Sequence, residues 1–178
     1  MNPIRPDDVA LRPWAAGDLD LLQRLLGDPR MMEHLGGPED PDKIRKRHAR
    51  YLAMAEPGQM FAITLGPERQ PVGSVGYWEK SAWLGDTVWE TGWSVLPELQ
   101  SQGIATRATV LVVARAAAEG VHRSIHAFPS VDNGPSNAVC RKAGFTLLGA
   151  HDFEYLPGFM LHCNDWAFEL PPARGGGS

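Results

Sequence analysis

Two features of the sequence could do chemistry: one carboxylate in a strand-like segment, and a glycine-containing loop that follows it. Over residues 87–95 the side chains alternate, which places Glu90 on one face with the small residue Gly92 and puts bulky Trp89 and Trp93 on the other. A glycine on that face lets a ligand approach the backbone. Burial beside tryptophans would raise the pKa of Glu90 and suit it to accept a proton. Equally, such a carboxylate could form a cross-strand ion pair or lie in a solvated patch.

The loop over residues 100–106 connects this strand with an alanine-rich helix. Pro97 ends the strand pairing because it has no N–H to donate. At the start of the helix, unpaired backbone N–H groups and the helix dipole favour an anion such as phosphate, and Gly103 allows close approach. Many strand–glycine–helix turns bind nothing, so this spacing alone also fits an ordinary turn.

Three segments, in chain order, resemble motifs of the GNAT superfamily of N-acetyltransferases. The pattern Gln-x-x-Gly-x-Ala over residues 100–105 is similar to the motif that cradles the pyrophosphate of coenzyme A. The pattern Asn-x-x-Ser over 133–136, followed by Lys-Ala-Gly-Phe over 142–145, is similar to a later segment of the family. Residues 90–97 resemble the strand before the pyrophosphate loop in the Rim-type branch, whose members acetylate ribosomal-protein N-termini and many small amines.

This resemblance implies roles for particular residues. Glu90 is expected to be the general base, and the Ser136 hydroxyl is expected to donate a proton to the departing thiolate. The cofactor, acetyl-CoA or another acyl-CoA, is expected to contact the backbone and side chains of Val95, Leu96, Gln102, Gly103, Ile104, Ala105, Thr106, Asn133 and Ser136. Of these, Val95 and Leu96 would polarise the thioester carbonyl, and Asn133 would bind the pantetheine arm. No metal is expected.

One position departs from the family pattern. Many members have a tyrosine that acts as the general acid at the position corresponding to residue 140, four residues after Ser136. This chain has Cys140 there. Ser136 or water must then protonate the thiolate, although Ser136 could instead be an ordinary helix-capping serine. His126 and Glu154 are reserve bases, and a lone histidine in a strand is commonly a structural residue.

The acceptor is expected to be a primary amine, either a small molecule or a peptide N-terminus. Residues 28–40 and a predicted loop over 155–165 should form the walls of its site. The apolar residues of these walls would also suit a packed core. The candidate contacts are His34, Trp78, Tyr155 and Phe159, with Met31, Met32, Leu35, Trp83 and Met160 nearby.

Two alternatives remain open for the function. The donor could be a non-acetyl acyl-CoA or an acyl carrier protein thioester. From a different class, a non-catalytic acyl-CoA-binding module would keep residues 100–106 but need no base.

The elements that must position these residues form an α+β pattern. The resemblance implies the GNAT fold: a mixed, mostly antiparallel sheet of about seven strands, with flanking helices and a splayed central strand pair that holds the cofactor. The predicted strands cover residues 9–13, 59–65, 72–79, 87–95, 124–128, 147–155 and 166–170. The predicted helices cover residues 19–26, 30–35, 41–55, 104–119 and 133–141. One N-acetyltransferase domain over residues 8–170 is followed by a flexible tail, 171–178, with the look of a cloning remnant.

Composition excludes several classes of function. The 178 residues are 43% hydrophobic and 21% charged, as in an ordinary soluble domain. A net charge of −4 gives no basic footprint for nucleic acid, and no apolar run suggests a membrane span or signal peptide. Two cysteines make no disulfide framework, which favours a cytoplasmic location. The protein is expected to be a monomer or a homodimer.

Overall fold

The computed structural model describes residues 4–54 and 58–172. Its strands form one seven-stranded sheet in the order β1-β2-β3-β4-β5-β7-β6. These strands are β1 Val9–Pro13, β2 Gln59–Leu65, β3 Gln70–Trp83, β4 Asp86–Val95, β5 Ser124–Ala127, β6 Thr146–Leu156 and β7 Phe159–Glu169. The helices are α1 Leu19–Leu26, α2 Pro41–Ala53, α3 Ile104–Glu119 and α4 Gly134–Lys142. The expected α+β fold with a mostly antiparallel seven-stranded sheet is confirmed.

Among the described strands, β4 and β5 are the only parallel neighbours, and they share fewer residue pairs than any other two neighbouring strands. The register has only two Cα pairs, Trp89 with Ile125 and Glu90 with His126. Beyond Glu90 the two strands no longer pair, while β4 stays paired with β3 as far as Val95. This is the splayed central pair, and Glu90 lies where the opening begins.

Successive strand residues point to opposite sides of the sheet, so each strand contributes side chains to two faces. Helices cover both faces. On one face α3 packs against a core that contains Trp89, Val95 and Ile125. On the other face α1 and α2 pack over Met60, Ala62 and Leu96, with partly buried Trp78 at the margin. Glu90 and Trp78 are register partners, so they share the α1–α2 side.

Local sequence explains where the helices begin and end. The α2 helix starts with Pro41, and the Asp40 carboxylate caps it by accepting the Lys43 N–H at 2.9 Å. The α3 helix starts after Gly103 and ends at Gly120, and both glycines have left-handed backbone conformations.

Two local predictions are wrong. Residues 155–165 are not a loop: β6 and β7 form a hairpin with its turn at 157–158, and Asn164 and Asp165 lie inside β7. These polar residues suggested a turn, but each is satisfied by a side chain from another element. Residues 30–35 contain a single 3-10 turn, Glu33–Leu35, in place of a helix. The β3 strand also runs past residue 79 to Trp83.

The predicted tail begins within the described residues, but positions 173–178 lie outside them. In the described part of the chain, no helix is both long and apolar enough to cross a membrane.

Candidate active site

Glu90 lies on the sheet face that opens between β4 and β5. A quarter of its side chain is exposed, and the Lys80 ammonium lies 3.5 Å from its carboxylate. Burial raises the pKa of Glu90 above its ordinary value; the Lys80 ammonium, the Trp78 indole and the His126 ring oppose that rise. The net effect is an upward shift, which brings the carboxylate closer to the range useful for a base.

A buried histidine–aspartate pair lies next to Glu90. His126 is the direct partner of Glu90 on β5, and its Nδ1 lies 2.7 Å from Oδ1 of Asp165, which is fully buried. The His126 Nε2 lies 3.1 Å from the Ser124 hydroxyl. Since both ring nitrogens already have partners, this arrangement makes His126 a structural or electrostatic neighbour of Glu90.

The other reserve base, Glu154, has a local role. Its carboxylate accepts the Gly158 N–H at 2.7 Å and so closes the turn between β6 and β7.

Sequence reasoning did not single out Lys80 or Asp165. Lys80 looks like one more surface lysine, and Asp165 sits in a dipeptide typical of turns. The register that brings residues 80, 90, 126 and 165 together depends on strand pairings far apart in the chain. No local signal in the sequence singles out either residue, since Lys80 is flanked by Glu79 and Ser81 and Asp165 follows Asn164.

The loop before α3 has the geometry of an anion site. Gly103 has φ +80°, and a Cβ built on it would meet nothing within 4 Å, so open space lies in front of it. The first turn of α3 has no side-chain cap and no acidic residue, and its first backbone bond to the loop is Arg107 N–H to the Gly103 carbonyl. Within residues 4–54 and 58–172, no acceptor is bonded to the N–H groups of Gln102, Gly103, Ile104, Ala105 and Thr106.

Of the two amides expected to polarise a carbonyl, one is occupied. The Leu96 N–H donates to the Val72 carbonyl at 3.0 Å, on the β3 side. Neighbouring residues of a strand direct their N–H groups to opposite edges, so the Val95 N–H faces the opening toward β5. The Val95 carbonyl accepts Gln100 Nε2 at 3.0 Å, which links the end of β4 to the loop. Of the two expected amides, Leu96 therefore already has an acceptor, and Val95 is the one that faces the opening.

On the other side of the opening, Asn133 caps α4. Its Oδ1 accepts the Ser136 N–H at 3.1 Å, which leaves the amide NH₂ for another partner. Ser136 is partly exposed, and its hydroxyl has no partner among the described residues. Cys140 is fully buried in the core, and burial raises the pKa of its thiol to about 12. A thiol in that position cannot replace the tyrosine that many family members have there.

The predicted acceptor residues lie on β3, β6, β7 and the 3-10 turn Glu33–Leu35. Trp78 lies over Gly92, since a Cβ built there would be 3.2 Å from the indole. Phe159 approaches the chain after the 3-10 turn, where a Cβ on Gly36 would be 3.7 Å from its ring. His34 lies partly buried in that 3-10 turn. The side chain of Tyr155 lies outside the described part of the chain.

Two surface cavities lie beside these elements. One, of about 460 Å³, lies between the end of α1 and residues 96–98. The other, of about 420 Å³, is bordered by residues 35–39 and by four basic side chains of α2: Lys43, Lys46, Arg47 and Arg50. Glu90 lines neither cavity. In the described part of the chain, no three His, Cys, Asp or Glu side chains are grouped so that they could hold a metal ion.

Known proteins share this architecture. An acetyltransferase from Bacillus anthracis, described as GNAT family, superposes with a TM-score of 0.75 at 18% identity, covering 94% of this chain and 96% of that one. An acetyltransferase from Salmonella typhimurium that modifies the N-terminal serine of ribosomal protein L7/L12 gives 0.75 at 21% identity, covering 94% and 99%. A spermidine N-acetyltransferase from Vibrio cholerae, in complex with CoA and spermine, gives 0.73 at 16% identity, covering 92% and 96%.

The TM-scores show a shared fold, and at these low identities they show the fold alone. A search of the curated proteins gave no match. The sequence profile of the acetyltransferase (GNAT) domain, however, matches residues 8–146, which is most of the chain. The chain therefore belongs to the GNAT family of acetyltransferases.

Proposed function

We propose that this protein transfers an acetyl group from acetyl-CoA to a primary amine, with Glu90 as general base. The observation that carries this proposal is the position of Glu90. It is a partly buried carboxylate with a raised pKa, at the point where β4 and β5 separate. A carboxylate there can accept the proton that an amine must lose in order to attack.

The residues around the loop fit coenzyme A. The unbonded N–H groups at the start of α3 and the open space in front of Gly103 suit a pyrophosphate. When bound, acetyl-CoA supplies the acetyl group as a thioester. The Val95 N–H would polarise the carbonyl, the Asn133 amide would hold the pantetheine arm, and the Ser136 hydroxyl would give its proton to the leaving sulfur.

The acceptor site proposed here lies around His34, Trp78 and Phe159, with Tyr155, whose side chain lies outside the described part of the chain, as a further candidate contact. Structural neighbours include an enzyme acting on a ribosomal-protein N-terminus and one acting on spermidine. Both classes of acceptor, a small amine and a peptide N-terminus, therefore suit the proposed site. A cytoplasmic location would supply either.

The test is thiol release from a panel of donors with purified protein. Acetyl-CoA, longer acyl-CoA thioesters and acyl carrier protein thioesters are each offered with small amines and short peptides. We expect turnover with acetyl-CoA that requires the amine. Faster turnover with another thioester would show that this thioester, and not acetyl-CoA, is the preferred donor. Calorimetric CoA binding with no turnover of any pair would instead indicate a non-catalytic binding module.

A further inference from the structure

A buried network behind Glu90 leads from Asp165 to the ammonium that pairs with the base. The Asp165 carboxylate is fully buried and has two side-chain partners: His126 at 2.7 Å from Oδ1 and Trp83 Nε1 at 3.0 Å from Oδ2. It therefore fixes one ring on β5 and another at the end of β3. A buried carboxylate held in this way is costly to disturb.

The two rings fixed by Asp165 belong to an aromatic group around Lys80. Phe128 stacks on His126 with ring centroids 5.9 Å apart, and it meets Trp83 edge to face at 4.7 Å. The Lys80 ammonium lies 5.3 Å from the Trp83 ring and 5.0 Å from the Phe128 ring, within cation–π range of both. The same ammonium lies 3.5 Å from Glu90.

A bulge in β3 makes this arrangement possible. Lys80 pairs with Val88, but Trp83 pairs with Asp86, so β3 contains one extra residue between these two pairs. Residues three apart in a regular strand point to opposite faces. The extra residue changes that parity and brings Trp83 to the same face as Lys80.

We propose that Asp165 is a positioning residue for the base: it fixes Trp83 and His126, and through their aromatic contacts it holds the Lys80 ammonium against Glu90. The expected effect on catalysis rests on the proposed function of Glu90 as general base. The charged and titratable groups facing Glu90 are Lys80 from β3, His126 from β5, and Cys163 and Asp165 from β7; Asp152 on β6 lies near Cys163.

Replacing Asp165 should act on Glu90 in a defined direction. Losing the acceptor for Trp83 and His126 loosens the aromatic contacts that hold Lys80 near Glu90. A carboxylate from which a cation moves away is harder to ionise. Glu90 should therefore titrate at a higher pH in Asp165→Asn. A direct effect of the lost Asp165 charge would have the opposite sign, so the direction of the change distinguishes the two.

The experiment is carbon-13 NMR titration of labelled glutamate carboxyls, with the Glu90 signal assigned by its loss in Glu90→Gln. A matched control is Asp152→Asn, because Asp152 forms the same kind of pair with His162 at 2.6 Å on the same hairpin but is exposed. We expect a higher titration midpoint in Asp165→Asn and an unchanged one in Asp152→Asn. In parallel, kcat/KM on the acidic side should fall about three- to tenfold, with the high-pH plateau retained.

A double variant tests the route through Lys80. Lys80→Met should raise the Glu90 midpoint, and adding Asp165→Asn should raise it no further. An unchanged or lowered midpoint in folded Asp165→Asn, or an equal further rise in the Lys80→Met background, would overturn the proposal. If Asp165→Asn does not fold, Trp83→Phe puts a smaller aromatic ring without an N–H donor in place of the indole and carries the same prediction. The NMR midpoint needs no turnover, so a moved midpoint supports the network even if Glu90→Gln keeps full activity.

Discussion

Opposing influences meet on one residue, Glu90. Burial raises its pKa, and the Lys80 ammonium, the Trp78 indole and the His126 ring reduce that rise without cancelling it. The folded protein therefore binds this proton more tightly than the unfolded chain does. The resulting stability is present below the ordinary glutamate pKa and is lost as the pH rises through the raised value. An ionised Glu90 should thus cost the fold stability, as expected for a residue kept for function.

Replacing Glu90 with glutamine removes the charge that burial disfavours. The variant should have a higher Tm than the natural protein at pH 8, and the difference should vanish at about pH 3, below the ordinary glutamate pKa, where Glu90 is protonated in both the folded and the unfolded state. Thermal unfolding at both pH values measures this. Glu79→Gln, on the neighbouring strand with its exposed pair to His122, should give no comparable gain. A lower Tm for Glu90→Gln at pH 8 would show that the pairing with Lys80 outweighs burial.

Single residues also show which roles can be predicted from the sequence and which cannot. Glu90 could be chosen from strand alternation and a motif, because both are local. Asp165 could not, since its partners Trp83 and His126 lie on other strands, and the same letters read locally as a turn. Leu96 shows the same limit, because whether its N–H is free depends on the Val72 carbonyl across the sheet.

At the scale of elements, the start of α3 carries the proposed phosphate site. Gly103→Ala should cost about 1 kcal/mol of stability because its φ of +80° is left-handed, and should weaken CoA binding tenfold or more by placing a methyl group where the pyrophosphate approaches. Gly120→Ala is the matched control: it imposes the same kind of strain, at φ +66°, on the other end of the same helix. Calorimetry should show near-normal CoA affinity for Gly120→Ala. Equal weakening by both variants would contradict the phosphate site.

Elements with a local signal were predictable and one without it was not. The leucine stripe of α1 and the Asp40–Pro41 start of α2 specify helices from adjacent residues. The β6–β7 hairpin was hidden because Asn164 and Asp165 are polar. Both become satisfied in a strand only once α4 and β5 supply their partners.

At the scale of the whole molecule, the sheet consists of two parts joined by two residue pairs between β4 and β5. The proposed CoA would lie across that joint, with contacts from β4 and α3 on one side and α4 on the other. CoA at one hundred times its Kd should therefore stabilise the folded protein by about 2.7 kcal/mol and raise Tm by about 5–10 °C. Pantetheine at the same concentration, lacking the pyrophosphate, should do much less. An unchanged Tm at high CoA would argue against this site.

Whether Glu90 is the general base is decided by kcat of Glu90→Gln across the pH range, measured with the best amine from the donor–acceptor panel. We predict a loss of about 10²- to 10⁴-fold at neutral pH, with the acidic limb of the natural enzyme's profile absent from the variant. Glu79→Gln should retain nearly full kcat. If Glu90→Gln keeps full kcat at every pH, Glu90 is not the base.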